Sequence, residues 1–128
     1  MKPLAPKSIA APFGHYSHGI AGGPVVATSG QLALRPDGTI PEGVGAQADF
    51  CFEALRAILA EDGLDFSDVL RFSAFVTRRE DMQGYMAARD RACADLEVKP
   101  ASTLMIVSGF TRPEFLVEVE ALALRRDR

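Results

Sequence analysis

The stretch Leu116-Val117-Glu118-Val119-Glu120-Ala121-Leu122 alternates strictly, and no other segment of the chain restricts the fold as much. Successive side chains of a β-strand leave on opposite faces, so Glu118 and Glu120 share a face with Leu116, Leu122 and Leu124. Two carboxylates among leucines need a reason. On a covered face they are desolvated, their pKa rises, and each becomes a proton acceptor or a group that orients water. On an open face they are solvated, or each pairs across the sheet with an arginine such as Arg71. Of the two, Glu120 is the stronger candidate for chemistry.

The rest of the chain supplies partners for that strand. Met1 to Phe13 carries three prolines and little periodicity, and reads as an extended lead-in. Strand-like runs at His15 to Ala21 and Val25 to Gln31 flank Gly22-Gly23-Pro24, the signature of a tight hairpin, and Pro36-Asp37-Gly38-Thr39 marks the next turn. Apolar residues at helical spacing then predict a helix over Ala46 to Asp62, stopped at Gly63. A strand over Val69 to Thr77 follows, and Thr77-Arg78-Arg79-Glu80 fits a capping box opening a second helix from Glu80 to about Asp95. Arg89 is the odd polar member of that helix's inner stripe. Strands at Ser102 to Ser108 and Phe115 to Leu124 complete the order β-β-α-β-α-β-β.

That order predicts an α+β fold, one mixed sheet of about six strands with two helices on one face, as a single domain over residues 1–128. The opposite sheet face is then bare. Self-association is the economical way to cover it, because an exposed apolar face of that size is an association surface.

Charge narrows the partners. With 14 Lys and Arg against 17 Asp and Glu, the net charge of −3 gives no basic surplus for nucleic acid, and the doublets Arg78-Arg79 and Arg125-Arg126 read as solvated faces. No apolar run is long enough to span a bilayer and no signal peptide follows Met1, so a soluble cytoplasmic protein is expected. Cys51 and Cys93 lie far apart within helical segments and read as buried small hydrophobes. His15 and His18 lack a carboxylate at metal-ligand spacing, so no metal is expected. Hydroxyls do cluster, at Tyr16-Ser17 and Thr28-Ser29-Gly30-Gln31, where glycine leaves backbone open to a ligand.

Five short motifs, Gly14-His15-Tyr16-Ser17-His18, Thr28-Ser29-Gly30-Gln31, Pro36-Asp37-Gly38, Pro100-Ala101-Ser102-Thr103 and Val117-Glu118-Val119-Glu120-Ala121, together resemble the signatures of the RidA (YjgF) family, in the same order. The resemblance implies a homotrimer with a central barrel and three small-molecule clefts at subunit boundaries. It further implies cofactor-free hydrolysis of reactive 2-imino or enamine acids to 2-oxo acids and ammonia. On that resemblance Glu120 orients the attacking water and Tyr16 and Gly30 bind substrate, and Ser17, Ser102 and Thr103 are the further candidates for substrate binding.

Two positions depart from the pattern: Ala88 stands at about the place of a family asparagine in the second helix, and Ser102 stands where the family carries an arginine that grips the substrate carboxylate. A hydroxyl offers one neutral bond in place of two charged ones, so imino-acid turnover by the familiar route is expected to be impaired. Arg89, Arg91 and Arg112 are the candidates to replace the lost cation. A trimer that binds or senses a metabolite without turnover is the alternative reading, with RNA cleavage or translation inhibition, a role of some relatives, third.

Overall fold

The computed structural model describes residues 1–126. Six strands form one sheet: β1 (Lys2–Leu4), β2 (Gly19–Gly22), β3 (Val25–Thr28), β4 (Val69–Val76), β5 (Ala101–Ile106) and β6 (Val117–Leu124). Their spatial order is β1-β2-β3-β6-β4-β5, so the alternating C-terminal strand lies inside the sheet. Strand β6 runs antiparallel to both β3 and β4, while β4 and β5 are parallel. Helices α1 (Val44–Ala60) and α2 (Met82–Ala92) make the β3-to-β4 and β4-to-β5 crossovers. The expected α+β fold, one mixed sheet with two helices, is the observed one.

The core follows from the pleat. Val117, Val119, Ala121 and Ala123 of β6 and Phe72, Ala74 and Val76 of β4 are buried against Cys51, Phe52, Leu55, Ile58 and Leu59 of α1 and Tyr85 and Ala88 of α2. Phe52 is its aromatic hub, with ring centroids 5.1 Å from Phe72 and 5.9 Å from Tyr85. Both cysteines are buried and free. A buried carboxylate, Asp62, ties the chain ends to the turn after α1, accepting from Arg125 at 2.7 and 3.0 Å and from Lys2 at 3.2 Å.

The opposite sheet face is open. It carries Glu118, Glu120, Leu122 and Leu124 of β6, which are half-buried or exposed, together with Ser73 and Phe75 of β4. Apolar exposure there and along the β5 edge includes Val25, Met105, Ile106 and Leu124.

Local differences from the sequence reading have physical causes. The lead-in is not wholly extended coil: Lys2–Leu4 adds to the sheet through backbone pairing with β2, an edge position where Pro3 needs no amide. The first hairpin is shorter than expected, because His15 to His18 stay irregular, with Tyr16 N–H turned back to Gly14 O at 3.0 Å. The capping box at Thr77 does not form. A 3-10 turn at Arg79–Asp81 precedes α2 instead, and the Arg78 guanidinium holds the buried Asp81 carboxylate at 3.0 and 3.3 Å. Helix α2 ends at Ala92 rather than near Asp95, and the Lys99 ammonium binds the carbonyls of Cys93 and Leu96 in the turn that follows.

Candidate active site

A bulge beside β6 builds the site. Between the pairs Ala27↔Leu122 and Gln31↔Val119 the β3 side carries one residue more than β6, so Ser29 and Gly30 are thrown out of the ladder. The Thr28 hydroxyl fills the gap by accepting from Ala121 N–H at 2.9 Å, and Gln31 rejoins β6 through two backbone bonds with Val119, 2.7 and 3.2 Å. Gly30 is thereby pressed onto Glu118. A Cβ at this glycine would sit 2.5 Å from Glu118 Cδ and 2.8 Å from Cγ and Oε1.

Around this contact lies a cavity of about 260 Å³, lined in part by Tyr16, Ser29, Gly30, Gln31, Phe50 and Glu118. Its polar wall is cross-braced. Gln31 Nε2 donates to His18 Nδ1 and to Ser29 O, both at 3.2 Å, which leaves the imidazole proton on Nε2 to donate to Ala10 O at 2.7 Å. Ser29 Oγ donates to Ser17 O at 2.6 Å, and the buried Cys51 thiol donates to Gln31 O at 3.1 Å. The segment Ile9 to Phe13 is thus held over the cavity, and Tyr16 stands at its rim between the edges of Phe13 and His18.

Glu118 is, among the described residues, the carboxylate lining this cavity. Among the described residues it has neither an ion-pair partner nor a hydrogen-bonded one, so the cross-sheet pairing with Arg71 does not occur. Burial, and then the Glu120 charge on the same strand face, raise its pKa above the ordinary carboxylate value. Burial also drives the Cys51 thiol far up, which makes it an inert hydrophobe rather than a nucleophile.

The residues singled out from the sequence fall in different places. Tyr16 and Gly30 line the cavity, and Ser17 supports it through its carbonyl. Glu120, chosen from the motif, lies outside it, in a shallow depression of about 160 Å³ with Thr28, Arg71 and Ser73. Ser102 lines a separate cavity of about 340 Å³ beside α2, with Arg89, Cys93 and Lys99. Thr103, one residue on, pairs with Ser73 on the other face of the sheet. Among the described residues no three His, Cys, Asp or Glu side chains converge as a metal site, and no helix is long and apolar enough to cross a membrane.

The chain resembles known proteins over nearly its whole length. It is 30% identical to a 2-iminobutanoate/2-iminopropanoate deaminase of Salmonella typhimurium over 127 residues, 98% of each chain, and 28% identical to the Escherichia coli protein of the same name. Among solved structures it superposes on E. coli TdcF with bound serine at a TM-score of 0.91 and 26% identity, covering 98% of this chain and 100% of that one. The E. coli YjgF gene product gives a TM-score of 0.91 at 28% identity, with the same coverage. Since residues 7–125 also match the family described as Endoribonuclease L-PSP, the chain belongs to that family, the one that includes RidA and YjgF.

Proposed function

We propose that this protein hydrolyses the C=N bond of a small imine, releasing ammonia and a carbonyl product, with Glu118 as the group that activates water. The observation carrying the reading is a half-buried carboxylate, unpaired among the described residues, pressed against Gly30 inside a cavity that Tyr16 also lines. A base of raised pKa is matched to proton transfer near neutrality, because it holds a proton well enough to take one from water and return it. Glu118 takes a proton from water as the hydroxide adds to the imine carbon, and that proton is returned to the nitrogen. The resulting carbinolamine collapses, expelling ammonia, and the carbonyl oxygen comes from water. Tyr16 and Ser29 supply hydroxyls that orient the substrate.

The names of the relatives, deaminases of 2-iminobutanoate and 2-iminopropanoate, make small 2-imino acids the first substrates to try. A net charge of −3 and a carboxylate in the cavity favour such a substrate over a polyanionic RNA strand. A homotrimer fits the same reading. Its copies would cover the open sheet face and bring the Ser102 cavity of one chain towards the Glu118 cavity of the next. The test is ammonia release from 2-iminobutanoate generated in the cuvette, with light scattering on the same sample. A rate above buffer from a species of three chains is expected, and a rate equal to buffer refutes the proposal.

A further inference from the structure

The Ser102 cavity holds a cation that the sequence position alone does not supply. Ser102 lies on the edge strand β5 opposite Phe72 of β4, and so faces the helix layer. From α2, Arg89 reaches across to it: Nη1 donates to Ser102 Oγ at 3.3 Å, while Nε and Nη2 hold Asp90 Oδ1 at 3.1 and 3.0 Å. The Arg89 side chain is only 27% exposed, against 72% for Asp90. The guanidinium therefore sits in the wall of the cavity, and Asp90, which lines the same cavity, is the more exposed member of the pair.

The other cations are engaged elsewhere. Lys99 caps the end of α2, donating to Cys93 O, Ala94 O and Leu96 O at 2.9, 3.3 and 2.6 Å. Arg91 grips Asp49 of α1 at 3.0 and 3.2 Å, and Arg112 pairs with Glu114 at 3.0 Å. Behind the cavity wall, Tyr85 is fully buried, and its hydroxyl lacks a well-formed hydrogen bond among the described residues. Burial pushes the phenol up to about 12, with Arg89 and the nearby Ser102 hydroxyl acting in the opposite direction. A phenol that stays protonated beside the same two side chains is a further donor without a settled acceptor.

We infer that Arg89 is the carboxylate anchor of this chain, delivered from helix α2 through the space that a serine at position 102 leaves open. A guanidinium has donors enough to keep Ser102 and take an anion. The ligand class is a small carboxylate, either a 2-imino acid or its 2-oxo product, and in that respect the inference rests on the proposed function. It has a consequence peculiar to this chain. An arginine placed at position 102 lands on Arg89, and two like charges at that distance repel.

The test uses 2-oxobutanoate as the probe, with binding measured by calorimetry at two salt concentrations and ammonia release measured alongside. Arg89→Gln is expected to weaken binding by about 30-fold or more, the cost of removing one partner of a desolvated charge pair, and to abolish its salt dependence. Arg89→Lys, which keeps charge but loses the planar fork, should fall between. Ser102→Arg alone should weaken binding, and Arg89→Ala with Ser102→Arg should recover most of the loss. Equal binding by wild type and Arg89→Gln, or tighter binding by Ser102→Arg while Arg89 is present, overturns the inference. If binding depends on Arg89 but no ammonia appears, the anchor stands and the deaminase reading fails. If ammonia is released and Arg89→Gln alters neither measurement, the reverse holds.

Discussion

Substituting Gly30 by alanine tests the site with a single methyl group. The new Cβ would stand 2.5 Å from Glu118 Cδ, and ordinary contact begins near 3.4 Å, so the carboxyl group must retreat by roughly 1 Å. What it meets is the outer part of a flexible side chain. The stability cost therefore belongs at the low end for overpacking, about 1 kcal/mol, or a fall of ~4 °C in Tm. Catalysis should be less forgiving, because a misplacement of about 1 Å costs on the order of 10²-fold in rate. Ammonia release at a temperature where both proteins are folded separates the two effects. A double-mutant cycle then localises the damage, since alanine at position 30 should cost little more once Glu118 is already glutamine. Wild-type turnover in Gly30→Ala, or a full further loss in the Glu118→Gln background, would show that the glycine does not act through this carboxylate.

Two further outcomes concern stability. Because the folded protein raises the pKa of Glu118, ionising it opposes folding: stability present below the ordinary value of 4.5 is lost as the pH climbs through the folded value. Glu118→Gln should accordingly melt higher than wild type at pH 7 and no higher below about pH 4, as thermal unfolding across pH would register. Phe72→Ala removes a ring in contact with Phe52 and Phe66 and should cost about 3 to 5 kcal/mol in denaturant unfolding.

The large features of this fold could be read from residues because each is a repeated pattern. The alternation at Val117 to Leu124 and the helical spacing from Phe50 to Leu59 report burial many times over. Strand β1 could not be seen, since it is three residues long and held by backbone pairing that any side chain permits. The Thr77 capping signal failed for a similar reason: Arg78 and Asp81 offered the turn a charged bond that the four-residue motif does not include. Period two puts Glu118 and Glu120 on the same face and cannot say which one overlies a cavity. That was decided by one extra residue in the Thr28 to Gln31 segment, which sets Gly30 against Glu118 and leaves Glu120 beside Ser73 and Arg71. Arg89 was visible as a misfit on the inner stripe of α2, but its target 13 residues away was not.

The most direct measurement is the pH profile of kcat/KM for ammonia release by wild type, Glu118→Gln and Glu120→Gln. Glu118→Gln should lose on the order of 10² to 10⁴ in rate at every pH, the usual contribution of a positioned base. Glu120→Gln should keep its rate within about tenfold and move the acid limb to lower pH, because removing the neighbouring charge lets the Glu118 carboxyl ionise more readily. A protein that survives loss of Glu118 and fails on loss of Glu120 would contradict the account.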